Sequence, residues 1–87
     1  MALLTIRQTV RDYRAWRAIY DTLEEVRQGW GVTADAVHQV VDAPNTVLML
    51  HHFATVAQAR GFLTNREHQA AMRRAGVEGP PRVEIYE

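Results

Sequence analysis

The sequence predicts an α+β fold in which helices cover one four-stranded antiparallel sheet. Three observations carry that expectation. Four β-prone runs are distributed along 87 residues, two stretches between them repeat apolar residues at helical spacing, and turn signals separate each from the next. Leu3 to Thr9 is the first run. Asp12 is placed to cap a helix whose Tyr13, Trp16, Ile19, Tyr20, Leu23 and Val26 fall at three- and four-residue steps and so form one apolar stripe. Gly29 and Gly31 end it. Val32 to Val41 is the second run, and Asp42-Ala43-Pro44-Asn45 reads as a turn into the third, Thr46 to Phe53.

Thr55 with Gln58, and Thr64 with Glu67, have capping-box spacing, which predicts two successive short helices over Val56–Leu63 and Arg66–Ala75. Gly76 stops the second. Gly79-Pro80-Pro81 then precedes a last strand, Arg82 to Tyr86, with the prolines at a strand start, where their missing N–H is tolerated. The order strand, helix, strand, strand, helix, strand is the ferredoxin-like βαββαβ arrangement, expected here as one domain over residues 1–87.

Composition narrows the partners. Ten basic and ten acidic residues balance to zero formal charge, which argues against nucleic acid and against an anionic membrane surface. No segment has the roughly 20 apolar residues of a membrane span. The absence of cysteine removes disulfides, thiolate nucleophiles and Cys-rich zinc sites, and a cytoplasmic place is expected. No HExxH or other ligand spacing predicts a metal. Apolar residues fall on both faces of the third strand: Val47 and Met49 on one, Leu48 and Leu50 on the other. Helices cover only one face, so a second copy of the sheet is the expected cover of the other.

At VRDYRAWRAIYD, GWGVT, DAPNTVLMLHHF, ARGFL and AAMRRAGVEGPPRVEIY the chain resembles the small dimeric α/β-barrel family that includes antibiotic-biosynthesis monooxygenase-like and polyketide cyclase-like proteins. The resemblance implies a homodimer in which two ferredoxin-like sheets close one barrel. It also implies a pocket between each sheet and its helices. Enzymes of this kind work without metal or organic cofactor on aromatic or polyketide-like molecules. Phe53 stands where several monooxygenase relatives have Trp.

The doublet His51-His52 is split by the strand, because neighbours along it point to opposite faces. With an even hairpin connection, His38, Ala36 and Val40 share the face of Val47, Met49, His51 and Phe53, whereas an odd loop or a bulge reverses the parity. Phe53 leads into the next helix, so that face is assigned to the helices, and His52 to the partner with Leu48 and Leu50. His51 is the first candidate for acid–base work. His68, on a stripe with Ala71, Met72 and Ala75, and His38 follow. Tyr20, Trp16, Met49, Phe53, Trp30 and Met72 are the candidate pocket residues, with Tyr20 as a hydrogen-bond donor. Arg7 is expected to pair with Glu84 on the neighbouring last strand. Arg14, Arg17, Glu24, Glu25, Arg73 and Arg74 read as a solvated helix surface. The same aromatics and histidines also suit a filled core, so a non-catalytic dimeric binding or structural module is the alternative to an enzyme.

Overall fold

A computed structural model describes all 87 residues. Strand β1 (Ala2–Val10) is followed by α1 (Tyr13–Thr22), α2 (Glu24–Gly29), β2 (Ala34–Val40), β3 (Ala43–Phe53), α3 (Val56–Leu63), α4 (Arg66–Ala75) and β4 (Val77–Tyr86). The antiparallel sheet has the order β2-β3-β1-β4, the ferredoxin-like arrangement, and all helices lie on one face. No helix is long and apolar enough to cross a membrane.

Alternation along β1 sets that face. Ala2, Leu4, Ile6, Gln8 and Val10 are buried under the helices, whereas Leu3, Thr5, Arg7 and Thr9 point outward. Val47, Met49, His51 and Phe53 of β3 register beside the inward β1 residues and are buried with them. The split of the histidine doublet follows the strand period as expected, and His52 lies on the outer face with Leu48 and Leu50.

The Asp12 carboxylate accepts from Arg14 N at 3.1 Å and starts α1, and the Asn45 side chain accepts from Tyr13 N at 2.9 Å, tying the helix start to β3. The expected single stripe to Val26 is broken at Leu23, whose backbone (φ −100°, ψ 11°) leaves the helical region. Thr22 Oγ1 donates back to Ile19 O at 2.7 Å at this point, a bond that competes with helix continuation. Thr55 caps α3 through Gln58 N, as its spacing predicts. Asn65, not Thr64, caps α4, because its carboxamide oxygen accepts from both Glu67 N and His68 N. Gly76 ends α4 in the left-handed region at φ 92°, a conformation in which a Cβ is strained.

Two expectations about strand pairing are corrected. The turn between β2 and β3 is Val41-Asp42, and Pro44 and Asn45 belong to β3. Val40 pairs with Ala43 but Gln39 pairs with Val47, so β3 carries extra residues in a bulge and the parity reverses. His38 therefore lies opposite Leu48 on the outer face, with Ala36 and Val40, while Asp35 and Val37 take the helix side beside His51 and Met49. Arg7 faces Arg82 rather than Glu84, and Glu84 pairs instead with Arg82 at 3.7 Å. The last strand also begins earlier than expected, at Val77. Its prolines are accommodated because β4 is an edge strand with a register shift opposite Gln8. The Gln8 amide donates to Glu78 O at 2.8 Å and Gly79 O at 3.0 Å, which holds that irregular backbone in place.

Candidate functional site

Packing α4 and the end of α3 over β1, β3 and β4 leaves a cavity of about 300 Å³. Ile6, Met49, Met72 and Val83 supply apolar walls, and the polar groups are Gln8, His68, Gln69 and Arg73. His68 arrives there because Asn65 sets the first turn of α4 and the stripe His68, Ala71, Met72, Ala75 is pressed against the sheet. Its imidazole lies against Phe62 (ring centroids 4.2 Å apart) and edge-on to Trp30 (5.9 Å, 88°). Arg73, read from sequence as part of a solvated surface, is exposed yet also borders this cavity.

A second assembly forms where α1, α2 and β2 meet. Tyr20 OH lies 2.9 Å from His51 Nε2, and the two ring planes differ by only 8° with centroids 6.2 Å apart, so the rings run end to end. The Tyr20 ring is sandwiched between Trp16, at 4.9 Å, and the Arg27 guanidinium, whose carbon is 3.6 Å from the ring centroid. Arg27 is 5% exposed. Its Nε donates to Asp35 Oδ2 at 2.8 Å and its NH1 to Tyr20 O at 2.6 Å. Tyr20 OH also reaches Asp35 Oδ2, at the long distance of 3.4 Å. Asp35, Tyr20 and Arg27 border a polar cleft of about 180 Å³ that includes Arg17, Asp21 and Glu24. His51 lies behind Tyr20 in the core, fully buried, with Nδ1 lacking any hydrogen-bond partner.

The candidates thus separate. Met49, Met72 and His68 border the cavity beneath α4. Tyr20 borders the polar cleft, and Trp30 a groove between the α1–α2 turn and α4 with Leu23, Val26 and Arg74. Trp16, Phe53 and His51 are enclosed in the core and border none of these spaces. His38 is brought to neither assembly. Arg27 and Asp35 were missed by sequence reasoning. Arg27 became visible only with the contacts that bury it on α2, and Asp35 only with the true register.

Burial sets the protonation states. His51 is pushed down to about 4 by desolvation first, then by the Arg27 and His68 charges, with Asp35 opposing; His68 is pushed down to about 4 by desolvation and Arg27. Burial likewise raises the Tyr20 phenol, with Arg27 opposing and Asp35 adding. Both imidazoles are neutral in the folded protein near neutral pH, whereas the unfolded chain binds protons on them below their ordinary 6.5. Stability from these groups is therefore complete above that value and falls as pH drops toward 4, by about 3 kcal/mol per histidine. Urea unfolding at about pH 7 and about pH 4.5 should show this loss, and His68→Gln should remove roughly half of it. An unchanged acid loss in the variant would contradict the assignment.

No protein-family model matches the sequence, and no curated protein does. The fold itself has solved counterparts. An antibiotic biosynthesis monooxygenase superposes with a TM-score of 0.76 at 10% identity, covering 100% of this chain and 97% of its own. SnoaB, a cofactor-independent oxygenase from Streptomyces nogalater, gives 0.78 at 13% identity over 99% of this chain and 90% of its own. A conserved protein from Methanosarcina mazei gives 0.76 at 13% identity over 99% and 91%. At such identities the likeness is one of fold.

Proposed function

We propose that the chain is a small-molecule-binding enzyme of the cofactor-independent, cyclase-like or monooxygenase-like kind, acting on an aromatic or polyketide-like molecule in the cavity between sheet and helices. The observation that carries this reading is the cavity of about 300 Å³, whose apolar walls hold a neutral imidazole, His68, and a cation, Arg73. That pairing suits an enolisable ligand. A C–H or O–H bond of the ligand breaks, its proton goes to His68, and the electron pair stays on the ligand as an enolate. The new negative charge raises the His68 pKa and is balanced by Arg73, so the ion pair supports itself against the apolar walls. In a cyclase the enolate carbon then adds to a second carbonyl of the ligand and the alkoxide takes a proton from His68; in a monooxygenase the enolate carbon adds dissolved dioxygen, the peroxide takes that proton, and loss of water leaves a carbonyl. The fold shared with SnoaB, itself a cofactor-independent oxygenase, supports the same class.

The outer sheet face supports a homodimer. Leu3, Leu48, Leu50, Ala36 and Val40 lie on it, half-buried by their neighbours and covered by no helix. A second copy with the same face is the occupant we assign, closing a barrel from two sheets. The binding reading is tested by thermal shift and calorimetry with hydroxylated anthraquinones and naphthoquinones as probes. Saturable binding in the native protein is expected, and Val83→Trp, which fills the cavity from the partly exposed edge strand, should abolish it. Equal binding by the native protein and Val83→Trp would place the ligand elsewhere.

A further inference from the structure

The Tyr20–His51 bond has a direction that follows from the unpaired atom beside it. His51 Nδ1 is buried without a partner. A buried N–H with no acceptor leaves a donor unsatisfied, and orphaned donors are rarer in proteins than under-used acceptors. The proton therefore sits on Nε2 and is donated to the Tyr20 oxygen at 2.9 Å. The phenol O–H is then free to donate to Asp35 Oδ2, which also accepts from Arg27 Nε. Every donor in this line points from the core toward the polar cleft.

We propose that His51, Tyr20 and Asp35 form a proton path between the buried face of the sheet and the cleft among α1, α2 and β2, with Arg27 as its positioning residue. The role rests on reading the cavity beneath α4 as a place of proton abstraction, since a product that departs as its anion leaves a proton on His68 that needs a way out. Phe62 separates the two: its ring centroid is 4.2 Å from that of His68 on the cavity wall and 5.2 Å from that of His51 at the inner end of the path. Passage from His68 to His51 Nδ1 requires this side chain to move aside.

Transfer is balanced without any co-reactant. A proton arrives at His51 Nδ1 as the Nε2–H bond breaks. The Nε2 proton passes to the Tyr20 oxygen as its O–H bond breaks, and the Tyr20 proton passes to Asp35 Oδ2. Asp35, with its side chain 30% exposed, releases the proton to water in the cleft. His51 finishes neutral, in the opposite tautomer. A concerted passage suits its surroundings, because Arg27 from α2 and His68 from α4 disfavour an imidazolium there, Asp35 from β2 opposes them only in part, and Tyr20 from α1 is neutral. Arg27 has the geometry of a clamp: its guanidinium covers the Tyr20 ring while Nε holds Asp35, which keeps the 3.4 Å step short enough to close by a small side-chain movement.

The test uses unliganded protein with ¹⁵N-labelled histidine. Nitrogen shifts should show the Nε2–H tautomer at His51, and exchange of that proton with water should slow by on the order of tenfold or more in both Tyr20→Phe and Asp35→Asn. Arg27→Met should slow it similarly, and Arg27→Lys, which keeps a cation beside Asp35, should restore part of the rate. A native Nδ1–H tautomer, or exchange unchanged in Asp35→Asn, overturns the path. Should Tyr20→Phe fail to fold, Asp35→Asn at the partly exposed end decides alone. Failure of the cavity to bind the quinone probes would sink the functional reading while leaving these exchange rates as they are, so the two results separate.

Discussion

His68→Gln is expected to bind the quinone probes with near-native affinity and to convert an enolisable polyketide-like substrate about 10²–10⁴-fold more slowly. Gln is close to His in length and keeps hydrogen-bonding atoms at the cavity wall, but it has no lone pair basic enough to take a proton. The loss should appear in kcat with KM little changed, because the interaction removed is made in the transition state. Stability should hold near neutral pH, where the native imidazole is already neutral. His51→Gln should affect turnover less than His68→Gln, since His51 borders no cavity, and should cost stability by disturbing the bond to Tyr20. Full turnover in a folded His68→Gln protein would remove His68 from the mechanism, and binding without turnover in the native protein would leave the cavity as the site of a non-catalytic module.

Leu50→Asp should convert a homodimer to monomers at micromolar concentration, while Arg60→Asp, on the exposed surface of α3, should leave the oligomer intact. Leu50 is central on the outer face, flanked across the sheet by Thr5 of β1 and Ala36 of β2. A face-to-face contact of the proposed kind removes at least about 1,200 Å² from water, and a carboxylate at its middle is desolvated among Leu3, Leu48 and the partner's copy of the same face. The helix side of β3 is untouched by this change, so each protomer should keep its fold and its cavity. Multi-angle light scattering reads the result directly. A native protein that is monomeric, or a Leu50→Asp protein that remains dimeric, would remove the interface from this face.

Much of the architecture was legible because it depends on neighbours along the chain. Asp12 and Thr55 cap their helices where their spacing indicates, Gly76 supplies the left-handed residue that ends α4, and the two-residue period of β3 separates His51 from His52. The second capping box failed for a local reason as well, since Asn65 competes for the same N–H groups and satisfies two of them. The break at Leu23 was hidden because the apolar stripe continues across it.

The candidate site was less legible. Parity between strands depends on a bulge that no composition signal announces, and that one feature moved His38 to the outer face and brought Asp35 beside His51. Arg27 was invisible for a different reason: a charged residue on a helix is ordinarily at the surface, and this one is buried only because Asp35, the Tyr20 carbonyl and the Tyr20 ring together satisfy it. Local sequence by itself determined the order of elements, the helix caps and which side chains of a given strand lie on a common face, because each follows from backbone sterics and periodicities of two and 3.6 residues. Only the tertiary structure decided which of those faces meet, how much space remains between α4 and the sheet, and which polar groups find partners there. Those properties arise from packing residues distant in the chain, where a displacement of one position in register exchanges the buried for the exposed.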